Sequence, residues 1–263
     1  MPETIRLSGV NKRFGGVVVA NNVELTLEQG EILGLIGPNG AGKTSLFNLI
    51  SGIIIPDSGA IYFQEQSINK LGVFQRARLG ISRTWQNIRL FPSLSVMDNL
   101  LMGSRRYEGE FIMNTFLRRR QLDRITKDRM AKASHLLDRV GLRGQGDTLV
   151  TELPFGQQKL TALVRALMND GRCLLLDEPM AGVEADVYET MKAVVREEAG
   201  RGRAVCVIEH SIAFIRDLCH TAVFLFNGEI IARGTVGELL CRPELVDIYF
   251  GCADAGAWEK RHV

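Results

Sequence analysis

The sequence predicts an α/β protein: a mostly parallel sheet flanked by helices, with an antiparallel β portion before it and a helical insert inside it. Three observations carry this expectation. The stretch Gly37-Pro38-Asn39-Gly40-Ala41-Gly42-Lys43-Thr44 stands between the apolar run Ile32-Leu33-Gly34-Leu35-Ile36 and the helix-like Ser45-Leu46-Phe47-Asn48-Leu49-Ile50. Two later apolar runs, residues 173–176 and 204–208, end in Asp177-Glu178 and Glu209-His210. Segments of helical length separate the strand-like ones, which is the pattern of βαβ units and a parallel sheet.

Taken in order, residues 4–10 and 17–27 read as strands, the second with Val23, Leu25 and Leu27 alternating against Glu24, Thr26 and Glu28. They predict an antiparallel pair joined by a turn at residues 12–16, in which Phe14 taken alone reads as a small core anchor. After the glycine-rich loop and its helix, Pro56-Asp57-Ser58-Gly59 marks a turn and residues 60–63 a short strand. Residues 78–92 have neither clean period and read as mixed strand and loop. Ser95-Val96-Met97-Asp98 has the form of a capping box opening a helix to about Leu101.

From Arg105 to Asp147 the composition turns to Arg, Lys, Asp and Met, with Leu136, Leu137 and Val140 at helical spacing. Its arginines, Arg105-Arg106 and Arg118-Arg119-Arg120, read as a solvated helix face rather than a binding patch. Leu153-Pro154-Phe155-Gly156-Gln157-Gln158 opens a helix to about Met168, with Pro154 where a helix start tolerates it. The tail offers a strand at 222–226, a turn at Asn227-Gly228, a strand through Ile231 and a capping box from Thr235 to Glu238. Residues 252–263 are small and polar and read as a frayed end.

Hydrophobic residues make up 46% of the 263 and charged ones 24%, which is ordinary for a globular chain able to bury a full core. No apolar run approaches the roughly 18 residues of a spanning helix. Met1-Pro2-Glu3-Thr4 leads straight into a strand without a secretion signal, so a cytoplasmic location is expected. Five cysteines lie far apart with no C-x-x-C spacing, as expected of reduced thiols. A net charge of +2 offers no broad basic field, and no nucleic-acid partner is expected.

The chemistry begins at the loop. Its glycines let successive backbone N–H groups turn toward phosphate oxygens at the positive end of a helix, Lys43 adds a point charge, and Thr44 a hydroxyl for Mg²⁺. Carboxylates at the end of a buried parallel strand fall on the same edge of the sheet. There Asp177 would orient the metal's shell, and Glu178 would position or deprotonate the water that attacks a γ-phosphate.

Together these residues resemble the nucleotide-binding subunit of ABC transporters, over about residues 4–251. Gly37, Pro38, Asn39, Gly40, Ala41, Gly42, Lys43, Thr44 and the following Ser45 look like its Walker A site for ATP, and residues 173–178 like its Walker B with catalytic Glu178. Gln86 looks like the Q-loop glutamine, serving catalysis and the metal with Thr44 and Asp177, His210 like the switch histidine, and Phe14 like the adenine-stacking aromatic. Residues 153–157 look like the signature, whose Gly156 and Gln157 would meet the ATP of an opposing subunit. Residues 181–184 resemble the D-loop. The resemblance implies the ABC ATPase fold, a P-loop core in one domain of residues 1–251 with a helical subdomain at about 87–168. It also implies ATP and Mg²⁺ as cofactors and ATP hydrolysis as the activity.

Arg83-Thr84-Trp85-Gln86-Asn87-Ile88-Arg89-Leu90-Phe91, Gly156-Gln157-Gln158 and the long insert are most similar to the larger ATPase subunit of branched-chain amino-acid importers. Importers of urea and short amides use similar subunits, so both cargoes stay open. The resemblance implies a second ATPase subunit in a heterodimer, two transmembrane permeases, indirectly a substrate-binding protein, and a peripheral position on the cytoplasmic face of the inner membrane. Several positions depart from the family: Pro154 and Phe155 stand in a signature usually written Leu-Ser-Gly-Gly-Gln, Glu184 stands where the D-loop has Asp, and Trp85 replaces a common Phe. Pro154 removes the serine hydroxyl and an N–H. A soluble ABC ATPase acting on ribosomes or DNA would carry two cassettes or long heptads, and this chain has neither. A phosphoryl-transferring kinase is disfavoured by the signature and His210.

Overall fold

The computed structural model of the chain describes residues 2–104 and 119–250. The first elements are β1 (Glu3–Phe14), β2 (Val17–Glu28), β3 (Ile32–Ile36), α1 (Lys43–Ser51), β4 (Ser58–Phe63), β5 (Gln66–Ser67), α2 (Val73–Leu79) and β6 (Ile81–Arg83). Next come α3 (Val96–Leu101), α4 (Arg119–Arg139), α5 (Phe155–Leu167), β7 (Cys173–Asp177), α6 (Ala185–Gly200) and β8 (Ala204–Ile208). The chain closes with α7 (Ile212–Leu218), β9 (Thr221–Phe226), β10 (Glu229–Thr235), α8 (Val236–Leu240) and α9 (Pro243–Phe250).

Two sheets form. One is antiparallel in the order β2-β1-β4-β5; the other runs β10-β9-β3-β8-β7-β6 and is parallel except for the β9–β10 hairpin. The parallel strands are buried on both faces, which is why they read as unbroken apolar runs rather than alternating ones. Alternation decides which core each residue enters. Leu33, Leu35, Leu175 and Cys206 face α1 and the antiparallel sheet, joining Leu7, Val23, Leu46, Phe47 and Ile61. Leu174, Leu176, Val205 and Val207 face the other way, onto the helices, with Leu136, Leu160, Val164, Val194 and Phe214.

Register then fixes the site. Asp177 pairs with Ile208, and Leu35 also pairs with Ile208, so the residues following all three strands leave the sheet at one edge. Gly34 faces the helical core, where an added Cβ would lie 2.9 Å from Cγ2 of Ile215 and 3.3 Å from Cβ of Ala222. Ile215 is β-branched and stiff, so α7 would have to move. Gly34→Ala is therefore expected to destabilise the fold by about 1–3 kcal/mol through overpacking. A lowered urea midpoint at unchanged slope would register it, and an unchanged midpoint would refute the contact.

Several elements differ from the sequence expectation. β1 continues through Phe14, so only Gly15 and Gly16 form the hairpin turn. Ser58 and Gly59 belong to β4, and β10 runs to Thr235 rather than stopping at Ile231. Arg78 and Leu79 end α2, a helix whose exposed Val73 and Phe74 and buried Arg76 invert the usual pattern. The Arg76 guanidinium donates to the carbonyls of Leu49 (2.6 Å), Ile50 (3.0 Å) and Leu71 (2.8 Å), capping the end of α1. Burial lowers its pKa to about 10, still cationic at neutral pH.

Of the two capping boxes expected, Thr235 and Glu238 cap each other reciprocally, whereas Ser95 accepts from the Asp98 N–H and gives its own hydroxyl to the Asp98 carboxylate, a one-way cap. Asn227 (φ 47°) and Gly228 (φ 81°) form the turn of the β9–β10 hairpin. Cys173, Cys206 and Cys219 are buried free thiols, and Cys241 is an exposed one. Cys252, the tail from 252 and the arginines at 105, 106 and 118 lie outside the described residues. No helix among the described residues is long and apolar enough to cross a membrane.

Candidate active site

β3 delivers the chain into the glycine-rich loop, which turns back so that α1 starts at Lys43. Two glycines are forced by close approach. A Cβ on Gly37 (φ 149°) would fall 2.1 Å from the Leu225 carbonyl oxygen, and one on Gly42 (φ 103°) 2.5 Å from that of Val19. The Lys43 side chain folds over the loop, donating to the carbonyls of Gly37 (2.7 Å) and Pro38 (2.9 Å). Burial pulls its pKa below the ordinary lysine value, against the opposing pull of Glu178 and Asp177. Asn39 and Gly40 are exposed at the loop's crest; Ala41 is packed beneath it. Thr44 is exposed on the first turn of α1, with Ser45 beside it half-buried.

β7 ends in Asp177, and the next residue, Glu178, takes a left-handed backbone (φ 47°). That conformation is costly for a residue with a Cβ and persists only where neighbours impose it. Here the Glu178 N–H donates to Ile208, and Lys159 of α5 donates to the Glu178 carbonyl at 2.9 Å. Its carboxylate is thereby held out from the strand. Gln86 Nε2 donates to Oε2 at 2.7 Å, and Nε2 of His210 lies 2.9 Å from Oε1. Three residues expected to serve catalysis, Glu178, Gln86 and His210, therefore meet on one carboxylate. Glu209 braces them, accepting from the N–H groups of Met180 (2.6 Å) and His210 (3.1 Å), while Tyr249 donates to the His210 carbonyl.

Asp177 is 2% exposed and paired through Oδ2 to Arg83 at 2.7 Å. Burial raises its pKa above the usual carboxylate value, with Arg83 opposing. Its Oδ1 is buried without a hydrogen-bond partner. Such an orphaned oxygen needs an explanation, and a cation supplies one. Mg²⁺ takes one or two carboxylates, water and substrate phosphates rather than an all-protein cage. One carboxylate oxygen with the Thr44 hydroxyl and the Gln86 amide fits that donor set.

Phe14 is 48% exposed at the end of the β1–β2 hairpin, with Lys12 Nζ 5.2 Å from its ring centre. It is no core anchor; β2 runs back from it to Val19, beside Gly42. Gly156 and Gln157 open α5, where a Cβ on Gly156 would meet Val187 at 2.8 Å. The Gln157 carbonyl accepts from the Thr161 hydroxyl within the helix, and among the described residues no hydrogen bond joins Gly156 or Gln157 to the phosphate loop. Arg83 and Lys159 were not read as site residues from the sequence. Arg83 ends a three-residue strand with no period of its own, though an arginine there is itself a signal, since that edge carries the site.

Between α2, the loop after β6 and the ends of α3 and α5 lies an open groove of about 390 Å³. Phe74, Trp85, Phe91 and Met102 line its apolar part, and Arg78, Arg83 and Arg165 its polar part. Phe74 and Met102 are exposed by 59% and 63%, an apolar surface of the kind that marks an interaction site.

Comparison with known proteins agrees with this fold. The branched-chain amino acid transport ATP-binding protein BraF of Pseudomonas aeruginosa is 31% identical over 94% of this chain and 97% of its own length. LivG of Escherichia coli K12, of the same description, is 29% identical over the same shares. A nucleotide-free ATP-binding cassette from an ABC transporter superposes with TM-score 0.81 at 29% identity, covering 94% of this chain and 98% of that one. The ADP conformation of another such cassette also gives 0.81, at 28% identity and with 95% and 100% covered. Residues 20–181 match the family described as ABC transporter, and with the phosphate loop and the Glu178 cluster standing inside or against that span, the chain belongs to the ABC transporter family.

Proposed function

We propose that the chain is the ATP-hydrolysing subunit of an importer of branched-chain amino acids. The observation that carries the ATPase reading is the Glu178 carboxylate, held between Gln86 and His210 one residue past Asp177, at the edge that carries the phosphate loop, while similarity to BraF and LivG supports the cargo. Phe14 stacks the adenine, the loop from Gly37 to Ser45 binds the phosphates, and Thr44, Gln86 and Asp177 hold Mg²⁺. The cation, when bound, neutralises charge on the phosphate oxygens. Glu178 takes the proton of the water whose oxygen bonds to the γ-phosphorus as the bond to the β-phosphate oxygen breaks. His210 and Gln86 orient that carboxylate.

The same reading makes residues 1–251 one ATPase domain, with residues of about 87–168 as its helical subdomain and Gly156 and Gln157 facing the ATP of an opposing subunit. The exposed apolar groove supports docking of two permeases on the cytoplasmic face of the inner membrane, and a substrate-binding protein would act through them. Pro154, at the start of α5, brings no hydroxyl to the opposing phosphate, which supports a second, different ATPase subunit as partner.

The test is reconstitution with candidate permease, binding-protein and second-ATPase subunits, and measurement of ATP-driven uptake of labelled leucine, isoleucine and valine. Uptake of all three is expected, with the isolated chain monomeric by light scattering in Mg-ATP. Uptake of urea or short amides instead would overturn the cargo. A stable, fully active homodimer would overturn the heteromeric assembly.

A further inference from the structure

A metal ligand needs its oxygen in a fixed position, and groups behind the ligand usually supply that. Asp177 and Thr44 sit on different elements, the end of β7 and the start of α1, so their separation depends on what ties those elements together. Arg83 does so with one planar group. Its Nη2 donates to Asp177 Oδ2 at 2.7 Å, and its Nη1 to Asn48 Oδ1 (2.7 Å) and Ser51 Oγ (3.1 Å) of α1. Its guanidinium lies 4.4 Å from the Trp85 ring centre and 5.5 Å from that of Phe47, and the ion pair is 5% and 2% exposed. With one carboxylate oxygen taken, the other, Oδ1, is buried and unpartnered.

We propose that Arg83 is a positioning residue for Mg²⁺: by holding Asp177 Oδ2 and the side of α1 at once, it leaves Oδ1 as the metal's oxygen and sets its separation from Thr44. This rests on the Mg-ATP reading above. Lysine cannot replace it, since a compact ammonium lacks the planar fork that spans α1 and β7.

The test uses the full chain with Arg83→Gln and Arg83→Lys. A fluorescent ATP analogue is titrated in EDTA and in Mg²⁺, and Mn²⁺ affinity for the ADP complex is read by electron paramagnetic resonance. Metal affinity is expected to fall about 10–100-fold in Arg83→Gln, the range seen when a ligand's supporting partner is removed. Binding in EDTA is expected to stay within about twofold, because among the described residues the side-chain hydrogen bonds of Arg83 go to Asp177, Asn48 and Ser51, all outside the phosphate loop. Arg83→Lys restores charge without the span and is expected to remain weak; full recovery would assign the effect to charge alone and overturn the positioning role. Equal losses in EDTA and Mg²⁺, or unchanged metal affinity, would also overturn it, and Arg83→Lys carries the test should Arg83→Gln not fold. A wild-type chain that binds the analogue without any metal dependence would instead overturn the Mg-ATP reading itself.

Discussion

Glu178→Gln is expected to lower kcat for ATP hydrolysis by about a hundredfold or more while leaving ATP affinity nearly unchanged, the signature of losing a positioned base. The substitution is nearly isosteric, so the left-handed backbone at residue 178 survives, as do the Ile208 and Lys159 bonds that impose it. An amide can still meet Gln86 and His210, because one end donates and the other accepts. What it cannot do is take a proton from water. Single-turnover hydrolysis and equilibrium nucleotide binding, measured on the same preparation of the assembled complex, separate the two effects. Turnover close to wild type would remove Glu178 from the role of base and shift attention to His210.

Much of this arrangement was legible in the sequence because its signals are local. Cys173–Asp177 and Ala204–Ile208 are apolar strands closed by charged residues, and the phosphate loop has a fixed spacing. Ser95 and Thr235 mark helix starts with side chains that act within three residues, and Asn227-Gly228 marks a turn with a backbone that tolerates positive φ. What stayed hidden depends on distant partners. α2 hides its arginine and exposes its phenylalanine because Arg76 serves the carbonyls of α1 and Phe74 lines a groove, neither of which its own seven residues announce. Arg83 meets Asp177 across 94 positions of chain, and Lys159 reaches Glu178 across 19. The resemblance assigned Glu178, Gln86 and His210 their roles; it did not say that two of them converge on the third, nor what fixes its backbone. Phe14, an exposed-looking aromatic in a turn, taken alone reads as a small core anchor, and its exposure follows from its place at the open end of a hairpin.

Lys43→Ala is expected to act at an earlier step, weakening ATP binding by about a hundredfold or more. Lys43 Nζ now spends two hydrogen bonds on the Gly37 and Pro38 carbonyls at 2.7 and 2.9 Å, partners that hold the ammonium over the loop. Phosphate oxygens would replace those carbonyls with charge-assisted bonds, each worth about 1.5–3 kcal/mol, so losing two costs at least the ~3 kcal/mol that corresponds to a hundredfold. Lys43 is 7% exposed and burial already lowers its pKa, a penalty that a phosphate charge would offset more fully than the carbonyls do. Alanine also frees the two carbonyls, which then face the phosphates as uncompensated acceptors. Calorimetric titration with ATP in Mg²⁺ checks the expectation against Glu178→Gln, whose affinity should be intact. Weakened binding in Lys43→Ala alone separates the phosphate-holding group from the water-activating one, whereas unchanged affinity would sink the assignment of this loop as the nucleotide site.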